Sequence, residues 1–429
     1  MTSEASVTHS CAYVWVWLPN ASEPVVAGIL QKDGQQLVFN YGRSYLARTD
    51  AISLYAPELP LQTGKITLIS GLSMPSSLRD ASPDAWGRHV IANRKLGKKV
   101  THSANVELDE LTYLLKSGSD RIGALDFQLS PSIYLSRQAQ QPALEELLTA
   151  AEMVDRGIPL TAELDQALLH GTSLGGARPK VLINDQGRKF IAKFSSSTDL
   201  YSVVKAEYIA MRLAHKLGLN VAGVQLRSAL GKDVLLIERF DRVWQEDHWL
   251  RRPMVSALTI FELDEMMAAY ASYEKLAEII RYRFSDPKNT LQELFSRMVF
   301  NVLCGNTDDH ARNHAAFWDG YQLSLTPAYD ICPQARTGQT ASQAMFIHGS
   351  DRSSQLATCL SAANTFMLST QEAVVIINDQ VVTIQKEWNE TCDEANLSLM
   401  DRNLLWHRQF LNPFAFYNVS EGIQRPKAP

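Results

Sequence analysis

The sequence lacks any long apolar run. Hydrophobic residues make up 45% of its 429 positions, but no stretch approaches the roughly 18–20 uninterrupted apolar residues of a membrane span. The short apolar run over residues 12–18 has no basic segment before it and no small-residue cleavage pattern after it. Such a run is typical of a strand, so the sequence predicts neither a signal peptide nor insertion into a membrane.

Cysteine is scarce, and neither sign of charge is in large excess. The five cysteines are scattered and form no C-x-x-C pair, which argues against structural zinc and predicts a reducing, cytoplasmic location. The formal net charge is −5, so the chain has no global basic field that would attract nucleic acid. Binding of nucleic acid by the chain alone is therefore not expected.

The pattern of apolar residues divides the sequence into three parts. Residues 12–70 carry short alternating segments and a turn at Lys32-Asp33-Gly34, which predicts a β-rich part, followed by helical patterns at 83–96 and 108–116. A polar stretch over 131–141 predicts a boundary. A helix over 144–154, then strands and a second helix, are expected up to residue 252, and mostly helices after it. Among these, a capping box at Thr290-Leu-Gln-Glu293 predicts the start of a helix that ends at Gly305.

The densest group of chemically active residues directly follows Gly305. Asp308 and Asn313 lie five residues apart, and Asp330 follows about twenty residues later. Phosphoryl transfer uses one carboxylate to orient the attacking hydroxyl and take its proton, and an amide and a second carboxylate to hold Mg²⁺. The spacing matches the D-x-x-x-x-N loop of protein kinases. It predicts Asp308 as catalytic base and Asn313 and Asp330 as metal ligands.

Two other interpretations of this segment stay open. Asp308 could cap a helix while Asn313 forms a turn, with no chemical role. Alternatively, His310 and His314 are four residues apart and could bind zinc together with Asp308 or Asp309, as in a metal-dependent hydrolase or nuclease.

A glycine-rich segment precedes a predicted strand. It reads Gly171-Thr-Ser-Leu-Gly-Gly-Ala-Arg-Pro-Lys180, and it is neither a P-loop nor a G-x-G-x-x-G motif, so by itself it could be an ordinary flexible loop. Its glycines would allow close approach of the backbone to phosphates, which Arg178 and Lys180 could also bind.

The strand and helix that follow carry a lysine and a glutamate. Phe190, Ala192 and Phe194 alternate with Lys193, which is therefore expected on the opposite face of its strand. Glu207 borders the apolar stripe of the next predicted helix. Kinases use a strand lysine on the ATP phosphates, steadied by a helix glutamate, and an apolar strand such as 235–238 can lead into the hinge that binds adenine.

The linear order of these features is that of a protein-kinase-like fold, and their residues resemble the HipA family of bacterial kinase toxins. The matching motifs of the kinase part are Ser173-Leu-Gly-Gly-Ala-Arg-Pro-Lys180, Ile191-Ala-Lys-Phe194, Glu238-Arg-Phe-Asp-Arg242, Gly305-Asn-Thr-Asp-Asp-His-Ala-Arg-Asn313 and Leu325-Thr-Pro-Ala-Tyr-Asp330. Those of the first 130 residues are Leu59-Pro-Leu61, Ser82-Pro-Asp84 and Arg121-Ile-Gly-Ala124. The chain departs from the best-known member at Arg178-Pro179 and at Asp309.

The resemblance implies a role for each matching residue. Asp308 would be the base, Asn313 and Asp330 would bind Mg²⁺, and Ser173 would be autophosphorylated, which ejects its loop and inactivates the kinase. The residues expected around ATP are Gly175, Gly176, Ala177, Arg178, Pro179, Lys180, Lys193, Glu238, Arg239, Phe240, His310, Ala311, Arg312, Asn313, Tyr329 and Asp330.

The expected architecture is a two-lobed α+β kinase. Residues 1–130 would form an extra β-rich subdomain, 131–252 the amino-terminal lobe with the phosphate loop and hinge, and 253–429 an all-α carboxyl-terminal lobe. The resemblance implies an ATP- and Mg²⁺-dependent serine/threonine kinase toxin that acts on a translation component such as an aminoacyl-tRNA synthetase. It also implies a helix-turn-helix antitoxin and operator DNA bound only through that pair. A catalytically inactive co-repressor and a small-molecule kinase are alternatives.

Overall fold

The computed structural model of the chain describes most of its length. The described residues are 9–96, 108–137, 143–156, 158, 160, 161, 164, 168, 178–185, 187–195, 199, 201–336 and 338–426. Four predicted site residues, Ser173, Gly175, Gly176 and Ala177, lie outside them.

The amino-terminal part is an antiparallel sheet with helices on its flank. Its strands are β1 (Cys11–Val16), β2 (Val25–Asp33), β3 (Gln36–Tyr41) and β4 (Leu125–Gln128), in the order β3-β2-β1-β4. Its helices are α1 (Arg43–Leu46), α2 (Ser76–Arg79), α3 (Ala85–Leu96) and α4 (Glu110–Lys116). Gly34 takes the left-handed φ of 61° that the tight β2–β3 turn requires, so the predicted turn is confirmed.

A second antiparallel sheet follows, in the order β5-β6-β8-β7. Its strands are β5 (Lys180–Asp185), β6 (Arg188–Phe194), β7 (Val224–Ala229) and β8 (Lys232–Glu238), and the helices beside it are α5 (Leu144–Asp155) and α6 (Val203–Lys216). Alternate residues of β8 face different cores: Val234 and Leu236 join the cluster that contains α5, whereas Leu235 and Ile237 join the one that contains α6. The two helices therefore cover opposite faces of this sheet.

The remaining part is mainly helical. Its helices are α7 (Ala257–Ile260), α8 (Tyr273–Arg283), α9 (Pro287–Cys304), α10 (Leu356–Ala362), α11 (Thr370–Glu394) and α12 (Leu399–Leu405), with 3-10 turns at Glu265–Tyr270, Ala311–Asn313, Ala363–Phe366 and Pro413–Phe416. The predicted start of α9 at Thr290 is wrong. Asp286 caps this helix by accepting a hydrogen bond from the N–H of Asn289, and Pro287 suits the first helical position because it needs no donor there.

Two small sheets lie within and beside the helical part. Strands β9 (Arg242–Gln245) and β10 (His248–Arg251) form a hairpin, and β11 (Met254–Ser256), β12 (Ala315–Trp318) and β13 (Leu323–Leu325) form a three-stranded sheet. The prediction of an all-α carboxyl-terminal lobe is therefore wrong in this respect, because residues 315–318 pair with residues 254–256, which lie far away in the sequence. This three-stranded sheet anchors the segment that follows Asn313, because β12 is its central strand.

Two further features of the structure are the apolarity of its helices and the state of its cysteines. None of the described helices is both long enough and apolar enough to cross a membrane. All five cysteines carry free thiols, and four of them are buried.

Candidate active site

Lys193 lies at the centre of the site, between two carboxylates. It sits on the face of β6 that meets α6, opposite Phe190 and Phe194, and is only 9% exposed. Its Nζ donates a hydrogen bond to Glu207 Oε1 at 2.6 Å and a second one to Asp330 Oδ1. The strand lysine, the helix glutamate and the more distant Asp330 therefore converge.

Charge pairing dominates the protonation of this cluster. Burial alone would lower the pKa of Lys193, but the charges of Asp330 and Glu207 outweigh burial and raise it. Burial opposes ionisation of Asp330 as well, yet the ammonium group of Lys193 lowers the pKa of that carboxyl to about 2. Lys193 is accordingly a cation and Asp330 an anion at neutral pH.

Asp330 has an unusual backbone conformation. Its φ of 59° lies in the left-handed region, which non-glycine residues adopt rarely and which is often found at functional sites. The preceding residues are held on both sides, since the N–H of Ala328 donates to Asn220 O at 2.8 Å and Tyr329 Oη donates to Arg312 O at 2.7 Å. The second contact ties the Asp330 segment to the loop that carries Asp308.

The Asp308 loop begins where Gly305 ends α9. Gly305 has a φ of 73°, and a Cβ at this position would lie 2.7 Å from the backbone oxygen of Gln409, so both its conformation and its surroundings require glycine. Beyond it, the side-chain amide of Asn313 donates to the backbone oxygen of Asp308 at 3.3 Å. The five-residue spacing therefore brings Asp308 and Asn313 together.

Asp308 is exposed, but nearby charges affect the pKa of its carboxyl group. Partial burial, together with the negative charges of Asp330 and Asp309, raises its pKa, while His310 acts in the opposite direction. A carboxylate that is raised in pKa and open to solvent is suited to accept a proton.

Asp309 faces the interior instead. It is 3% exposed, its Oδ2 accepts a hydrogen bond from Tyr273 Oη, and His314 Nε2 lies 2.9 Å from the same oxygen. Burial would raise the pKa of Asp309, but the contacts with His314 and Tyr273 lower it. Asp309 and His314 are therefore paired with each other. Among the described residues, no group of three or more histidine, cysteine, aspartate or glutamate side chains is arranged to hold a metal ion.

The last residues of the glycine-rich segment lead into β5 beside the site. Lys180 is 2% exposed, lies opposite Lys193 on the neighbouring strand, and its Nζ donates to Asp84 Oδ2 at 3.2 Å. Arg178 forms two hydrogen bonds with Asp199, at 2.9 and 3.0 Å, and Pro179 O accepts from the N–H of Phe194 at 3.1 Å.

The predicted hinge residues face different directions. The ring of Phe240 lies 5.6 Å from that of Tyr329, next to Asp330, whereas the carboxylate of Glu238 points to Arg188 at 3.2 Å. The Arg239 side chain is 4% exposed. It donates to Asp241, to Asp120 and to the backbone oxygen of Arg121.

Consequently the guanidinium of Arg239 is engaged with the amino-terminal part, and it is not available to contact a nucleotide. Any contact of Arg239 with adenine would have to come from its backbone. The sequence around Arg239 does not indicate this arrangement, because its partner Asp120 is 119 positions away.

Three further predicted residues lie on the Asp308 loop. Ala311 is buried, and Arg312 pairs with exposed Glu265 at 2.7 Å. His310 Nδ1 is buried and lacks a hydrogen-bond partner in the part of the chain that the structure describes.

Two carboxylates beside the site were not among the predicted site residues. Asp84 and Asp199 each pair with a basic residue of the segment 178–180. Asp84 belongs to the Ser82-Pro-Asp84 motif, but nothing in the local pattern indicates its partner, since the pair spans 96 positions.

Comparisons with known proteins agree with this architecture. The family model of the HipA-like C-terminal domain matches residues 172–388, and that of the HipA N-terminal domain matches residues 16–128. The chain resembles a protein named Y4mE from Sinorhizobium fredii, with 30% identity over 146 residues, which are 33% of this chain and 33% of that protein.

The serine/threonine-protein kinase toxin HipA of Shewanella oneidensis is 27% identical over 186 residues, which are 37% of this chain and 42% of that protein. The alignments thus span well under two thirds of either relative.

A solved structure has the same fold. It is the complex of HipA, HipB and operator DNA from Shewanella oneidensis, matched with a TM-score of 0.68 and 19% identity over 92% of this chain and 96% of that one. The α+β kinase-like fold expected from the sequence is therefore confirmed. The HipA-like C-terminal model alone covers half of the chain, and the N-terminal model matches a further segment that precedes it. The chain therefore belongs to the HipA family.

Proposed function

We propose that this chain is an ATP- and Mg²⁺-dependent serine/threonine protein kinase, and that it acts as the toxin of a toxin–antitoxin pair in the cytoplasm. The observation that carries the proposal is the position of Lys193. It is buried between Glu207 and Asp330, and Asp330 is linked through Tyr329 to the loop of Asp308 and Asn313. Protein kinases use these residue types in this order to bind and transfer a phosphoryl group.

The residues present suit ATP and Mg²⁺. Magnesium prefers oxygen ligands, and the Asp330 carboxylate and the Asn313 amide supply them on neighbouring segments. When bound, the metal would neutralise charge that develops on the phosphates. Lys193 and Lys180 would hold the phosphates, and the ring of Phe240 would border the adenine. Glu207 would keep Lys193 in place when Asp330 turns to the metal.

Asp308 would act on the acceptor. Its exposed carboxylate can accept a hydrogen bond from a serine or threonine hydroxyl and take the proton as the oxygen attacks the γ-phosphate. Asn313 holds the backbone of Asp308 and so fixes the loop that presents this carboxylate. Asp309 would contribute by anchoring that loop to the core and not by touching the substrate.

We also propose partners and a substrate for this kinase. The solved relative is a complex with HipB and operator DNA, which supports an antitoxin partner for this chain and contact with DNA through that partner. A translation component such as an aminoacyl-tRNA synthetase is the proposed protein substrate, and Ser173 the proposed site of autophosphorylation.

The test is transfer from γ-labelled ATP to the purified chain with and without Mg²⁺. Label should appear with Mg²⁺, disappear in the Ser173→Ala variant if that serine is the acceptor, and be absent in Asp308→Ala. Labelled protein substrates are then sought by comparing phosphopeptides of cells that express the wild type and Asp308→Ala. Binding of ATP without any transfer would favour a co-repressor without kinase activity, and persistent labelling of Asp308→Ala would refute the role of Asp308.

A further inference from the structure

Two buried lysines lie side by side in the second sheet. Lys180 of β5 and Lys193 of β6 are directly paired in the antiparallel ladder, and they are 2% and 9% exposed. Residues that oppose each other in this way project from the same face with Cβ atoms only about 5 Å apart. Two ammonium groups on such neighbouring buried positions repel each other unless carboxylates offset their charges.

The ion pairs of the two lysines involve carboxylates from different parts of the chain. Glu207 on α6 and Asp330 neutralise Lys193. Lys180 is paired at 3.2 Å with Asp84, whose side chain is 10% exposed and which comes from the amino-terminal part, 96 positions earlier. The amino-terminal part therefore supplies a carboxylate to a lysine that lies beside the proposed phosphate site.

Asp84 is itself held firmly. It directly precedes α3, and its Oδ1 accepts a hydrogen bond from the N–H of Gly87 at 3.0 Å, which caps that helix and leaves Oδ2 for Lys180. Two residues later, Trp86 Nε1 donates to the backbone oxygen of Lys180 at 3.1 Å, and its indole joins the core that contains Phe190. Residues at the start of α3 thus form hydrogen bonds with both the side chain and the backbone of Lys180.

We propose that Asp84 is a positioning residue for nucleotide binding, which holds Lys180 beside Lys193 so that both ammonium groups face the phosphates of ATP. This inference rests on the proposed function. Without the carboxylate of Asp84, Lys180 would lose the ion pair that offsets its repulsion from Lys193, and its ammonium group would be held less firmly toward the phosphates. The amino-terminal part would then be needed for ATP affinity as well as for any contact with partners.

The test uses Asp84→Asn in the full-length chain. Asparagine caps helices as well as aspartate does, so this change removes the charge and keeps the cap. Asp109→Asn is the matched control. Asp109 likewise caps a helix, by accepting from the N–H of Thr112 at 2.8 Å, and pairs with Lys32 at 3.1 Å, but this pair is exposed. Asp84→Ser, another good cap, is the second neutral variant if asparagine prevents folding.

The dissociation constant of ATP with Mg²⁺ is measured by calorimetry, and the melting temperature by circular dichroism. Asp84→Asn should raise the dissociation constant about tenfold with little change of melting temperature, and Asp109→Asn should leave it within about twofold. Because Asp84 acts through Lys180, adding Asp84→Asn to Lys180→Met should change the dissociation constant less than about twofold.

Three results would overturn the inference. The first is an unchanged dissociation constant of ATP in Asp84→Asn. The second is a double variant whose dissociation constant rises by the full effects of Asp84→Asn and Lys180→Met combined. The third is a lower melting temperature of Asp84→Asn without a weaker affinity for ATP. If the wild-type chain itself fails to bind ATP, the proposed function falls together with this inference, whereas the first three results leave the proposed function standing.

Discussion

Asp308 and Asp309 are neighbours in the chain, yet their carboxylates lie in opposite environments. Asp308 is exposed, whereas Asp309 is 3% exposed and in contact with Tyr273 and His314. The doubled aspartate therefore combines one group that is free to react with one that secures the loop. Substitutions at the two positions should differ in what they damage.

Asp308→Ala should abolish phosphoryl transfer and leave the protein folded. General-base catalysis typically contributes about 10²–10⁴-fold to a rate, and an exposed side chain without a buried partner contributes little to stability. Steady-state transfer from labelled ATP and the urea unfolding midpoint measure the two properties. A drop in midpoint that accounts for the lost activity would contradict the prediction.

Asp309→Ala should destabilise the protein. The change leaves the hydroxyl of Tyr273 and the imidazole of His314 buried without their shared acceptor, which costs about 2–4 kcal/mol. The free energy of unfolding is obtained from urea titrations, with Asp308→Ala as the control at the adjacent position. Equal stability of the two variants would show that the Asp309 contacts do not matter.

Arg239→Met should lower stability more than it lowers ATP affinity. The substitution leaves Asp120 and Asp241 buried with fewer cations, and breaking a buried ion pair costs about 3–5 kcal/mol. Arg188→Met is the control, because Arg188 pairs with Glu238 at the surface and such pairs contribute at most about 1 kcal/mol. A folded Arg239→Met protein of unchanged stability that no longer binds ATP would instead support a direct contact with the nucleotide.

Low pH should destabilise the folded protein, partly through protonation of Asp241. Burial opposes its ionisation, but Arg239 and Arg242 lower its pKa from 3.8 to about 2. A carboxyl whose pKa is lower in the folded state stabilises the fold above the unfolded value, and that contribution is lost as the pH falls from about 4 to about 2. The shift corresponds to about 2 kcal/mol.

Comparison with Asp241→Asn isolates this contribution. Between pH 5 and pH 2, the wild type should lose about 2 kcal/mol more of its unfolding free energy than the variant does. Asp330 titrates in the same window but is present in both proteins, so its effect cancels. Parallel pH profiles of the two proteins would contradict the role of Asp241.

Local patterns predicted much of the fold. The predicted apolar stripe of α6 is buried at Ala206, Ile209, Ala210 and Leu213 and partly buried at Leu217, since the 3.6-residue period decides which face of a helix is apolar. The start of α9 was misplaced because a capping box inside a helix resembles one at its beginning, while Asp286-Pro287 caps the helix three residues earlier. The boundaries at 130/131 and 252/253 stay predictions.

The site was predictable where its residues lie close together in sequence or in a recurring order. Asp308, Asn313 and Asp330 follow from spacing, and the structure brings Asp308 into contact with Asn313. The spacing to Asn313 already assigns the role of base to Asp308. The burial of Asp309 could not be predicted, because its contact with Tyr273 of α8 joins positions 36 residues apart.

By itself the sequence determined the family, the succession of a β-rich part and a mainly helical part, and the residue types available for phosphoryl transfer, because each depends on neighbours along the chain. Only the tertiary structure decided that Asp84 pairs with Lys180, that Arg239 turns toward Asp120, and that Asp309 is buried. Those outcomes depend on charges that lie far apart in the chain and meet in a low-dielectric interior, where an ion must find a partner.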